Sequence, residues 1–239
     1  MRDVLIFPVS SEESIVIASD NSGAIGEKDQ DAVKVSYETV AYYSFRVAVM
    51  ECLSAGAEPF AVILQNFCGD GAWEGLVKGI KRGVGELGIG DLEISGSTES
   101  NFALQQSAVG LSVLGKKKGN GGTEKIAYND QTVIAVIGSP LVGEEVIRRE
   151  SEAAPLNLFQ EVNSLGDVVT LPVGSKGILA ELNGLFFSKV FSDMDLKTDL
   201  DIHKSAGPST CFIAVFPQEN AEEIRLLAGS YFYLLAEGF

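Results

Sequence analysis

Residues 14–19 (SIVIAS) form a short β-branched apolar run that reads as a buried strand ending near Asp20. A polar, glycine-containing loop follows from Asp20 to Lys28 (DNSGAIGEK). Residues 36–55 contain neither Gly nor Pro, are rich in Ala, Val and Met, and stop at Gly56. That pattern predicts a long, mostly buried helix closed by a glycine. Pro59 precedes a second apolar run, 60–67 (FAVILQNF), read as a strand. Residues 73–87 predict another helix, although Gly75, Gly79, Gly83 and Gly85 interrupt it. Each glycine costs about 1 kcal/mol against alanine in a helix interior. Glycines four apart leave a flat ridge, for which close packing on a sheet is one explanation. A further strand begins within 91–95, and 107–114 (SAVGLSVL) alternates as a sheet with one covered face does.

Residues 116–125 (KKKGNGGTEK) are polar, glycine-rich and without an apolar side chain, the clearest linker in the chain. Beyond it, strands are expected at 132–138, 168–172 and 211–216, and helices at 144–152 and 178–185, with a terminal helical stretch over 221–237. The expected class is α/β or α+β, with an N-terminal domain over 1–118 and a smaller C-terminal α/β domain over 126–239.

Composition narrows the function. The 239 residues carry a formal charge of −15. Residues 1–125 hold 11 Lys/Arg against 17 Asp/Glu, and 126–239 hold 7 against 16, so the halves stand at −6 and −9. Neither offers the basic face that a nucleic-acid backbone requires. A nucleotide ligand stays compatible with this acidity, because magnesium can bridge carboxylates to phosphates. Cys52, Cys68 and Cys211 have no CxxC spacing and lie in apolar company, so buried free thiols are expected. No charged-then-apolar leader and no run of about 18 apolar residues is present, and a cytoplasmic protein with no membrane partner is expected.

Three constellations could carry chemistry. Asp20, followed by small residues and glycines, could hold a hard cation while backbone N–H groups face phosphate oxygens; Asp-Asn-Ser-Gly is also ordinary turn chemistry. Lys28 could neutralise phosphate or be a plain surface lysine. Glu51 sits in an apolar helix, costly unless paired or metal-bound, and structural pairing and metal binding stand level. Ser95 to Asn101 (SGSTESN) packs hydroxyls, a carboxylate and an amide into seven residues, suited to metal oxygens and phosphate donors or to capping a helix. His203 is the only histidine, which removes His-based metal sites, and the acidic stretch 193–201 reads as a solvated face. Walker A spacing and a GxGxxG after a strand are both absent.

In order, these segments resemble the superfamily of aminoimidazole ribonucleotide (AIR) synthetase, thiamine-monophosphate kinase, selenophosphate synthetase and the hydrogenase-maturation dehydratase. Asp20 to Lys28 looks like an expanded DGVGTK loop, and Met50 to Pro59 (MECLSAGAEP) matches the frame of NDI-x-x-x-GA-x-P. Ser95-Gly96-Ser97-Thr98 stands where the family has GG-[DE]-T. The likeness covers roughly 14–115. In the second half, 173–182 (VGSKGILAEL) and 205–216 (SAGPSTCFIAVF) resemble family segments that have lost their acids. Within the superfamily, SDxxGxIG, MExLSxGAEP, SGSTExNF and KSAGPST look most like the AIR synthetase-related group that includes α-ribazole kinase.

The resemblance implies a two-domain PurM-like fold whose N-terminal mixed or antiparallel sheet pairs with its copy in a homodimer. It implies ATP and Mg2+ as cofactors and a small-molecule substrate, with γ-phosphoryl transfer to a nucleoside-like alcohol such as α-ribazole. Asp20, Glu51 and Glu99 are the expected metal ligands, with Gly23, Gly26, Ser97 and Thr98 near the phosphates. Asp20, Lys28 and Asn101 are the expected catalytic contacts. An AIR synthetase-like ligase or cyclase, and a nucleotide-binding protein with decayed catalysis, remain alternatives.

Overall fold

The computed structural model describes residues 4–122 and 124–238, and these divide at residue 122 into two units, each with its own sheet. The first contains β1 (Val4–Pro8), β2 (Glu13–Gly23), β3 (Ile25–Gly26), β4 (Val33–Lys34), α1 (Tyr37–Ser54), β5 (Glu58–Asn66), α2 (Trp73–Leu87), β6 (Glu93–Thr98) and β7 (Ala108–Lys118). Its main sheet has the order β1-β2-β7-β5-β6, antiparallel except for the parallel pair β5–β6. β3 and β4 form a small parallel pair of their own.

Strand β2 pairs with β7 along its whole length, from Glu13 opposite Lys118 to Gly23 opposite Ala108. Asp20 is therefore inside the strand rather than at its end. Lys116–Lys118, which polarity assigns to the linker, belong to β7, and Ser95–Thr98 complete β6. Ladder hydrogen bonds join backbone groups whatever the side chains, so strands can outrun their apolar stretch.

Alternation along the strands sends Val16, Ala18, Val62, Leu64, Val109, Leu111 and Val113 to one buried face. Helix α1 packs on this face and meets α2 on its other side. Thirteen of its 18 residues are buried, which explains why it is apolar nearly all round. Ser36 caps it, its hydroxyl accepting from the Thr39 N–H at 3.2 Å. Gly75 and Gly79 of α2 face α1 rather than the sheet: a Cβ on Gly79 would stand 2.1 Å from the Glu38 carbonyl and 2.8 Å from the Tyr42 nitrogen. The ridge serves helix–helix approach.

The second unit contains β8 (Thr132–Ile137), α3 (Glu144–Arg148), α4 (Leu156–Asn163), β9 (Val169–Pro172), α5 (Ile178–Leu185), β10 (Phe212–Pro217), α6 (Ala221–Ala228) and β11 (Phe232–Glu237). Its antiparallel sheet has the order β11-β8-β10-β9. Ile134, Val136, Ile213 and Val215 pack with Ile178, Leu182 and Leu185 of α5 on one face. On the other, Phe159 of α4 meets Phe212 edge-to-face at 5.0 Å. Both faces are covered, so β8 is buried at every position.

Two helices of the second unit end earlier than the sequence pattern predicts. The helix expected over 221–237 ends at Ala228; Gly229, at φ +53°, turns the chain, and the aromatic and apolar residues beyond pair with β8 as a strand. The helix expected over 144–152 breaks after Arg148 into a short 3-10 turn. Helix α4 lies where the sequence pattern predicts no element.

Candidate functional site

The first unit's sheet brings three strand termini to one edge. Gly23 of β2 lies opposite Ala108, Asn66 of β5 opposite Val109, and Thr98 of β6 beside Asn66. The loops leaving these strands carry most of the polar residues singled out by the sequence.

Asp20 is half-buried on the helix-covered face and bonds the Ser44 hydroxyl of α1. Burial pushes its carboxyl up to about 6, against the opposing hydrogen bonds from Ser44 and the Asn21 backbone. Its anion is thus under-compensated by the protein alone, the condition in which a cation is welcome.

Glu51 stands elsewhere. It follows Ser44 by seven residues, two helical turns and roughly 10 Å along the axis. Its neighbour Cys52 packs against Gly115, which pairs with Val16, four residues back from Asp20 along β2. Glu99 turns inward on its own loop, Oε1 accepting the N–H groups of Asn101 at 2.6 Å and Phe102 at 3.1 Å. Among the described residues, no group of three or more His, Cys, Asp and Glu side chains is arranged to hold a metal.

Lys28 is engaged by the protein. Its ammonium donates to the carbonyls of Leu104 at 3.0 Å, Phe67 at 3.2 Å and Gln106 at 3.4 Å. Ser97 is exposed, in register with Gln65, and Thr98 accepts from the Asn66 amide at 3.1 Å. Asn101 is exposed. A Cβ on Gly23 would meet nothing within 4 Å, whereas one on Gly26, at φ +152°, would stand 2.5 Å from the Ser107 hydroxyl oxygen. Gly23 leaves open space and Gly26 permits a close loop crossing.

Four residues at this edge escape the sequence reading. Asp31 is 7% exposed, and its carboxylate accepts from the backbone of Lys28 at 2.9 Å and from the backbone and hydroxyl of Ser107, each at 2.7 Å. Tyr37 places its hydroxyl 3.2 Å from that of Ser107. Asn66, 1% exposed, donates to Thr98 and to the Gly69 carbonyl at 2.9 Å while accepting from the Cys68 N–H at 2.8 Å. A polar residue inside the apolar run 60–67 was the one signal available for Asn66; for Asp31 and Ser107, 76 residues apart, there was none.

No protein-family model matches the sequence, and no curated protein matches it significantly. Solved structures do match the fold. Thermotoga maritima PurL complexed with ADP aligns over 99% of this chain at TM-score 0.60 and 14% identity, the chain spanning 42% of that protein. The tt0281 protein of Thermus thermophilus aligns over 99% at TM-score 0.62 and 14% identity, with 85% of its own length covered. Thiamine monophosphate kinase from Aquifex aeolicus aligns over 92% at TM-score 0.61 and 13% identity, with 84% covered. The chain carries the PurM-like fold.

Proposed function

We propose that this chain is an ATP-using enzyme that transfers the γ-phosphoryl group to a nucleoside-like alcohol, with α-ribazole as the first acceptor to test. The observation that carries the reading is Asp20, a half-buried carboxylate held up to about 6 within β2, three residues before the strand ends at Gly23 and bonded to Ser44 of α1. Its setting supports the reading, because structural neighbours include a PurL bound to ADP and a thiamine monophosphate kinase.

A magnesium ion is often held by one or two carboxylates, with substrate phosphates and water completing its shell. Asp20 fits that role as the single protein carboxylate. Glu99 is occupied with its own loop. When bound, the metal supplies charge neutralisation on the phosphates. The chain's own part is positioning. The open space at Gly23 admits phosphate oxygens to the backbone, and the exposed Ser97 hydroxyl and Asn101 amide stand ready as donors. Asn66 keeps the ends of β5 and β6 in register.

The face of the main sheet opposite the helices presents Ile15, Ile17 and Leu114, together with Leu5 and Phe7, each 60% exposed. In this reading a second copy covers that face, giving an isologous homodimer that also shields edge strand β1.

A second reading, nucleotide binding with decayed catalysis, draws support from the missing acid cluster among the described residues. The experiment is thermal shift with ATP and Mg2+ followed by product analysis with α-ribazole. Magnesium-dependent stabilisation with phosphorylated α-ribazole supports the kinase. Stabilisation without turnover of any acceptor supports the second reading, and no stabilisation overturns both.

A further inference from the structure

The Lys28 ammonium ties two loop segments together by holding the Phe67 carbonyl at 3.2 Å and the Leu104 carbonyl at 3.0 Å. Both segments present apolar side chains to solvent: Phe67 is 41% exposed, Leu104 38% and Phe102 78%. The backbone at Phe102 is held as well, since Glu99 accepts its N–H and that of Asn101. The rim is therefore a fixed apolar ledge, in a loop tied down at both ends. The loop follows directly on the end of β6, where Thr98 is half-buried and the Ser97 side chain is exposed.

Size decides the occupant. Two phenylalanines, each burying about 150–250 Å² at most, and one smaller leucine offer at these exposures well under the roughly 800 Å² that one side of a stable protein interface takes. A flat molecule of one or two rings fits, because a planar heterocycle stacks on an aromatic face while polar groups beside it meet its attached sugar or phosphates.

Resting on the phosphotransfer reading above, we propose that the rim of Phe67, Phe102 and Leu104 receives the planar heterocycle of the nucleotide or of the nucleoside acceptor. Lys28 is its positioning residue, holding the rim in place and leaving the phosphates to other groups.

The test measures equilibrium binding of ATP, inorganic tripolyphosphate and α-ribazole, each with Mg2+, to the full chain and to Phe102→Ala, Phe102→Tyr and Lys28→Met. Loss of a stacked ring weakens a base-bearing ligand by on the order of tenfold. Phe102→Ala is expected to weaken ATP or α-ribazole by that factor, which also tells which base sits there. Tripolyphosphate binding is expected to stay unchanged, and Phe102→Tyr to keep the wild-type affinity. Lys28→Met is expected to follow Phe102→Ala, sparing tripolyphosphate. Unchanged ATP and α-ribazole affinities in Phe102→Ala overturn the proposal while the phosphotransfer reading stands. A loss of tripolyphosphate binding in Lys28→Met overturns the positioning role. Wild-type protein that binds none of the three ligands overturns both readings together.

Discussion

Ser107 holds Asp31 twice, its backbone N–H reaching Oδ1 and its hydroxyl reaching Oδ2, each at 2.7 Å. This pair closes the loop after β3 onto the residue just before β7. With the Lys28 N–H at 2.9 Å, the carboxylate satisfies three donors in a buried site. Burial raises the cost of the charged form, yet the hydrogen bonds from Ser107 and Lys28 outweigh it and hold the carboxyl below its ordinary value.

Asp31→Ala should therefore destabilise the first unit by roughly 2–6 kcal/mol, because two backbone N–H groups lose a charged acceptor at about 1–3 kcal/mol each. A carboxyl whose folded pKa lies below its unfolded one contributes stability above the unfolded value of about 3.9 and loses it as pH falls through the folded value. The stability gap between wild type and Asp31→Asn should accordingly shrink below about pH 4. Urea midpoints measured from about pH 7 down to about pH 3 check both statements.

The glycines of α2 allow a paired test. Gly79→Ala adds a methyl 2.1 Å from the Glu38 carbonyl and should destabilise by about 1–3 kcal/mol, despite alanine's better helix propensity. Gly85 is exposed, with nothing within 4 Å of the added Cβ, so Gly85→Ala should stabilise by roughly 0.5–1 kcal/mol. Opposite signs in thermal or urea unfolding support the helix contact; stabilisation by both changes would refute it.

The helix within 36–55 and the strands within 14–19 and 60–67 were legible because each rests on local chemistry: a stretch free of Gly and Pro, a glycine stop, or a β-branched run. The continuation of β2 through Gly23 and of β7 through Lys118 was not, because those residues gain a ladder partner about a hundred positions away. Residues 232–237 mislead for the same reason: the apolar spacing of 221–237 suits a helix until β8 offers Phe232–Glu237 a partner strand. At the candidate site, Asp20 and the hydroxyls of β6 could be singled out by type and spacing. Lys28 could be singled out too, but not its partners, since three carbonyl oxygens at 67, 104 and 106 leave no trace in residue identity.

Phe7 tests the sheet face. It is 60% exposed on an edge strand, opposite Ile15 in register. Phe7→Glu should convert a dimer to a monomer without unfolding the chain, because the side chain is not part of the buried core. Light scattering coupled to size exclusion reads the mass directly. A wild-type monomer, or a variant with unchanged mass, would remove the second copy from this face.

Asp20 contributes a pH dependence opposite in sign to that of Asp31. Burial is the larger influence and lifts its folded pKa to about 6, above the unfolded value near 3.9. The folded state then binds more protons than the unfolded state between those values, so Asp20's contribution to stability falls as pH rises from about 4 to about 6. In ligand-free protein at about pH 7–8, Asp20→Asn should therefore be at least as stable as wild type, and the advantage should vanish near about pH 4. Magnesium and ATP should reverse the order at about pH 7, because a cation favours the anion of Asp20 and has no such hold on asparagine. Melting curves of both proteins across this range, with and without MgATP, read the two effects separately. A variant stabilised by MgATP as strongly as wild type would take Asp20 out of the metal site while leaving its buried pKa intact.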